Sequence, residues 1–428
     1  MQKKQPVVSE DIARFHQVVQ NGSVLDLKAE LDTDIDVNSP GRFEETALMV
    51  AIAANDLEKV KLLIQHGADP ALTDKFNSTA LGHAVSHDFA DGVKLLLGLG
   101  VDRGYHPKYP LKQIEYDLES LNALEIPMPR ELTEIMSEDE WNESVKDGNR
   151  LAAEMGQNPT VEPLISEVQS VEVLELFLDA GDHLEQASNE LKREFTGLET
   201  DETFRALPAD YRSYKSPRFG TQNPELMDNP FWSDMIRIGC NAYVARQHFD
   251  DSDAFTTPGA VWCYDRFGSS LTRLEDGRFV QIGGEHEDHY DPDFFIYNDV
   301  VIHDGKGAFQ IFGYPKAVFP PTDFHSATLV GDAIYIIGCL GYSDQRKVGT
   351  IPVYRLSTDS WKIESVETSG ETPSWLHSHR ARYDALKNVI RISSGELLVA
   401  GEDDDGMLVP NEEQFELELG TLRWKKRR

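Results

Sequence analysis

Residues 283–293 read GGEHEDHYDPD. His286 and His289 carry imidazoles of the kind that ligate transition metals, and Asp288, Asp291 and Asp293 could offer hard oxygens to a divalent cation. The same side chains could instead form a catalytic carboxylate cluster, a contact surface for a protein or peptide, or a solvated acidic loop. Spacing argues against chemistry. The aspartates lack the alternate acidic positions, glycine and later glutamate of a calcium loop. No zincin spacing, P-loop, nucleophile elbow or dinucleotide fingerprint occurs in the sequence. No catalytic residue, metal ligand or cofactor is therefore assigned, and the chain is expected not to be an enzyme. Imidazoles and aromatics recur downstream, at Phe324 and His325, at Tyr342 with Asp344, and at Trp375, His377 and His379.

The elements around these residues decide what they can do. A chain of 428 residues is long enough for two or three domains. It carries 74 Asp and Glu against 41 Lys and Arg, a formal net charge of −33. Such a chain repels phosphate backbones and anionic lipid, so the expected partner is a protein, a basic one being favoured, with no nucleic acid and no membrane. The N-terminal stretch lacks an apolar core of signal-peptide length and no long apolar run follows, so the expected location is cytoplasmic. Cys240, Cys263 and Cys339 lack the close pairing of a zinc knuckle or disulfide framework and are expected as buried thiols.

In the first half, segments beginning at Ala13, Thr46 and Thr79 align at an interval of 33 residues. In the second segment Leu48, Ala51 and Ile52 share one helical face. After a turn at Asn55 and Asp56, Val60, Leu62, Leu63 and Ile64 form a second apolar helix, which Gly67 ends. Thr79, Ala80, Leu81 and Ala84 repeat the first helix, Val93, Leu95, Leu96 and Leu97 the second, and Gly100 the stop. This pattern resembles the ankyrin repeat, a β-turn followed by two antiparallel helices opened by T-P-L-H-x-A. Met49 and Gly82 stand where the family has histidine, and Ala47 and Ala80 where it has proline. The Ala13 unit lacks the threonine and is expected as a cap. A degenerate fourth unit is expected at 160–186, with Val173, Leu174, Leu176, Phe177 and Leu178 before Gly181, after an acidic insertion at about 104–159. The resemblance implies an α-solenoid over 1–192 that binds protein on its concave face. Phe43 and Phe76 are its partner-binding candidates.

Residues 193–259 are rich in Pro and aromatics and are expected as a joining segment packed between the halves. One helix is expected there, capped by Asp228 or Asn229 and carrying Phe231, Met235, Ile238, Ala242 and Ala245 as an apolar stripe.

Over 260–428, β-rich pairs of runs joined by tight turns (EDG, VGD, ALKN) recur at roughly 52 residues, a period in the range of propeller repeats. Ile302 precedes Phe309, Tyr354 precedes Trp361, and Leu417 precedes Trp424 by the same offset. These features resemble kelch repeats, four-stranded blades with a glycine doublet after the second strand. Gly283 and Gly284 match that doublet, whereas Cys339 follows Gly338 and the third unit has Ser393, Ser394 and Gly395. The family's oxidase relatives use copper with a tyrosine ligand in a closed propeller, and three blades are too few to close one. The residues 261–267, VWCYDRF, are expected as a strand that covers an open edge, with a homodimer or an unclosed stack as the other solutions. The resemblance implies that the 283–293 loop shares a ligand-binding face with His325, Tyr342, Trp375, His377 and His379.

The fold class expected is thus multidomain α + β, an ankyrin-like solenoid followed by all-β kelch-like blades. The function expected is a protein-interaction scaffold. A metal-dependent enzyme built on the His/Asp cluster, and an acidic inhibitor or immunity protein for a basic toxin, are the alternatives.

Overall fold

Several helices of this protein begin where a small polar side chain turns back onto its own backbone. Ser9, Ser23, Thr46, Asp56, Thr79 and Ser170 each accept from the N–H three residues ahead, satisfying a donor that the helix cannot. The structure is a computed structural model. It describes residues 9–105, 146, 162–198, 203–251, 259–286, 294–401 and 406–427. The chain divides into two units, one ending at Leu191 and the other beginning at Lys192.

In the first unit three helix pairs follow one another: α1 (Glu10–Asn21) with α2 (Val24–Leu31), α3 (Ala47–Ala53) with α4 (Leu57–Gln65), and α5 (Ala80–Ser86) with α6 (Ala90–Gly98). Helix α3 packs between α1 and α5, and α4 packs against α2 and α6. Phe15, Val19, Leu27, Leu48, Ile52, Leu63, Leu81 and Leu96 are buried, as the 33-residue register requires. The unit beginning at Ala13, expected as a cap, is a complete helix pair. Lys59 is buried yet satisfied: its Nζ donates to the Val19 carbonyl at 2.7 Å and pairs with Asp56 at 3.3 Å.

The fourth unit is reduced. Its first helix is a single 3-10 turn, Leu164–Glu167, packed on α5, and its second, α7 (Val171–Asp179), packs on α6. Gly104–Tyr105 and Glu162–Pro163 pair antiparallel just before it. The helices expected within the acidic insertion lie outside the described residues.

The second unit is built on three four- or five-stranded sheets, with a smaller sheet of Leu376–His377, Glu396–Val399 and Met407–Pro410 beside them. The strands Ser270–Arg273, Phe279–Ile282, Val300–His303 and Phe309–Gly313 form an antiparallel meander. Ser326–Val330, Ala333–Ile337, Val353–Ser357 and Ile363–Ser365 form the second. Arg380–Asp384, Val389–Ser393, Phe415–Glu418 and Arg423–Lys426 form the third. Alternation along the strands gives each sheet two faces. Val280, Ile282, Val300 and Ile302 meet Ile334, Ile336 and Leu356 in one core, and Ile337 and Val353 meet Ile390, Ile392, Leu417 and Trp424 in another.

The outer face of the first sheet, with Val301 and Ile311, is buried under helices that contribute Tyr211, Phe231, Trp232 and Met235. Here the structure corrects two expectations. The single helix expected around Phe231 is two, Pro230–Ile238 and Ala242–His248. Gly239 breaks it at φ 69°, and Asn241 caps the second piece through the Val244 N–H. Residues 261–267 make no strand beyond a bridge from Phe267 to Glu285. Val261, Trp262 and Cys263 are buried consecutively, without the one-sided alternation of a strand, and Trp262 stacks on Trp232 at 4.8 Å. The added edge strand is instead Glu225–Leu226, paired with Phe309–Gly313.

The outer face of the third sheet is polar. Arg382, Arg391, Glu416 and Lys425 lie opposite one another across four of its five strands, the fifth being Ser369–Gly370, and Arg391 pairs with Asp384 and Glu416 at 2.6 and 2.8 Å.

Candidate functional site

Of the side chains singled out around the 283–293 loop, the imidazoles are inside the protein. His286, His325, His377 and His379 are all buried. His325 and His379 each precede the first strand of a sheet, which turns their rings back onto the sheet before. The Nε2 of His325 lies 2.8 Å from Oγ of Ser270, and that of His379 2.8 Å from Oγ of Ser326. A matching backbone ladder runs alongside, with the Phe324 N–H donating to the Gly268 carbonyl and the Ser378 N–H to the Phe324 carbonyl. Burial pushes both imidazoles down to about 3. Burial also lowers His377, against the opposing pull of the Glu396 carboxylate 3.5 Å away. The rings of His325 and His379 are neutral and join sheets to one another.

His286 sits on the two-residue strand Glu285–His286, paired with Phe295–Ile296, and its Nε2 is 3.7 Å from the Cys263 thiol. Asp288, His289, Asp291 and Asp293 lie outside the described residues.

The loops do converge around the remaining candidates. The Tyr342 hydroxyl accepts from the Ile296 N–H at 3.1 Å, and its ring meets Phe294 edge-on at 5.8 Å. Trp375 donates its indole N–H to the Leu340 carbonyl at 3.1 Å. Tyr342 and Trp375 are half-buried, and Asp344 is exposed on the 3-10 turn Ser343–Gln345. Between them lies a carboxyl that spacing did not reveal. Asp323 is fully buried, and burial raises it above the usual carboxylate range, against the stabilising Gly341 N–H at 2.6 Å and the neighbouring Glu285. Its one sequence signal is its place just before the Phe324–His325 pair.

This arrangement offers little to a metal or nucleophile. Among the described residues no group of three or more His, Cys, Asp or Glu side chains is placed to hold a metal ion. Cys263 and Cys339 are buried, as expected, whereas Cys240 is half-buried, and burial pushes its thiol up to about 11, away from thiolate reactivity.

The first unit presents a different kind of surface. Phe43 and Phe76 occupy the turns that precede Thr46 and Thr79, and they are 40% and 39% exposed. The Lys75 N–H donates to the Phe43 carbonyl at 3.0 Å, locking successive turns together. The Lys75 ammonium stands 4.1 Å from the Phe43 ring centroid and 4.6 Å from that of Phe76, and the Arg42 guanidinium lies 5.3 Å over Phe43. Asp74 supports the turn from beneath, accepting from the N–H groups of Phe76 and Ser78 and bonding His83 at 3.0 Å.

A family model described as ankyrin repeats (3 copies) matches residues 15–104, which begin within α1 and take in the rest of the three helix pairs and both aromatic turns. This segment consists of ankyrin repeats, a family of protein-interaction modules. A search of curated proteins gives no match to the chain. No described helix is long and apolar enough to cross a membrane.

Proposed function

We propose that the protein is a non-catalytic scaffold whose ankyrin segment docks a protein partner on the turns carrying Phe43 and Phe76. The observation that carries this reading is the pre-ordered pair of half-exposed rings, held at fixed spacing by Lys75. Rigid aromatics of this kind anchor interfaces because little entropy is lost when they are covered. The sequence repeats the basic–aromatic pair a third time, at Lys108 and Tyr109, one interval further on. The three antiparallel meanders of the second unit are read as kelch-like blades that add a second contact surface around Tyr342, Trp375 and the 283–293 loop. A net charge of −33 favours a basic partner over nucleic acid or anionic membrane, in keeping with a cytoplasmic scaffold.

The test is affinity capture from the native host with the full chain and with a Phe43→Ala, Phe76→Ala variant. Truncating two such anchors weakens binding by about 2 kcal/mol or more, so the principal partner is expected to be lost while the thermal melt is unchanged. Retention of the same partner by the variant rejects the docking site. A stoichiometric metal found by elemental analysis favours the enzyme reading instead.

A further inference from the structure

The third sheet ends its unit with a face that runs against the charge of the whole chain. Ala381, Ile390, Ile392, Phe415, Leu417 and Trp424 point inward to the core shared with the second sheet. The residues between them point out, and among these Arg380, Arg382, Arg391, Arg423 and Lys425 outnumber Asp384, Glu416 and Glu418. Arg382, Arg391 and Lys425 share one row with Glu416, while Arg380 lies in the next row opposite Ser393. Arg391 and Arg427 both reach Glu416, and Lys425 reaches Glu418. Among the described residues Arg380 and Arg382 make no ion pair, and both are exposed. The hairpin that continues their strand carries Leu386, which is 100% exposed.

We propose that this face binds an acidic polypeptide segment containing an apolar residue. The two unpaired guanidinium groups supply forked donors matched to carboxylates, and Leu386, in the turn that ends the same strand, supplies an apolar contact. Charge complementarity is local here, a cationic face on a chain of net charge −33. A protein segment is favoured over nucleic acid because Asp384, Glu416 and Glu418 share the face and would oppose a continuous run of phosphates. Charge on an edge strand also discourages strand pairing, but that role asks for no fully exposed leucine at the hairpin tip. The proposal is independent of the ankyrin docking site.

Fluorescence anisotropy with the full chain tests it. The probes are a short fluorescein-labelled peptide of alternating glutamate and leucine, and a single-stranded oligonucleotide of equal length. The expected result is salt-sensitive binding of the peptide, weakened about tenfold by Arg380→Glu with Arg382→Glu, a loss of about 1.4 kcal/mol. Arg382→Gln and Leu386→Ser are each expected to weaken it severalfold, and Arg355→Glu on the second sheet to leave it unchanged. Thermal melts verify that the variants are folded. Unchanged affinity in Arg382→Gln overturns the proposal. So does tighter binding of the oligonucleotide, or a self-association that the arginine reversals abolish.

Discussion

His325 of the second sheet and Ser270 of the first are joined by a 2.8 Å hydrogen bond, and His379 makes the same bond to Ser326 one sheet later. The inter-sheet junction is therefore a repeated device. Its imidazoles stay neutral because they are buried, which ties the junction to pH.

Both rings titrate at about 3 in the folded protein, against an ordinary value of 6.5. Between those values the unfolded chain binds protons that the folded chain does not. The stability they contribute is fully present above 6.5 and is lost progressively as pH falls toward 3. Each ring contributes a slope of up to about 1.4 kcal/mol per pH unit. Urea melts from near neutral to about pH 5 are expected to show falling stability. In the His325→Gln, His379→Gln variant that dependence is expected to be shallower.

Leu63 and Leu96 are fully buried at equivalent positions of α4 and α6. Replacing either with alanine is expected to cost about 2 to 5 kcal/mol. Denaturant melts check this, and a loss below about 1 kcal/mol would mean the helices pack in another register.

Trp262 stacks on Trp232 with rings 8° from parallel and donates its indole N–H to Asp299 at 2.8 Å. Trp262→Ala is expected to destabilise the second unit by about 3 to 5 kcal/mol, since it opens a cavity and leaves a buried carboxylate short of a donor. Chemical denaturation followed by circular dichroism measures it.

A fragment starting at Gly268 would expose Tyr297, Val301 and Ile311, which the helices of 203–251 cover. It is expected to be insoluble, whereas one starting at Lys192 is expected to be a soluble monomer by size-exclusion chromatography. A soluble monomer from the shorter piece would show that the helical cover is dispensable.

The parts legible in the sequence were those with a period. Thr46 and Thr79 fall at helix starts because capping is local chemistry, and the turns at EDG, VGD and ALKN lie between paired strands because hairpins are local too. What covers the first sheet was not legible. The strand Glu225–Leu226 is too short to carry alternation, and the helix break rests on the conformation of Gly239 alone. The histidines were legible as a cluster but not as buried groups. Their partners Ser270 and Ser326 lie 55 and 53 residues away, so no local pattern marks the bond. Asp323 was missed because its partner, the Gly341 N–H, belongs to backbone, which sequence does not distinguish.

The antiparallel pairing of Gly104–Tyr105 with Glu162–Pro163 places the start and end of the intervening chain side by side. Closing a loop costs only about 0.6 kcal/mol more for each doubling of its length. Evolution can therefore lengthen, shorten or exchange the intervening passage almost freely, with selection on the repeat array left unmoved. The junction acts as a socket, and the array can acquire new specificities there without being redesigned.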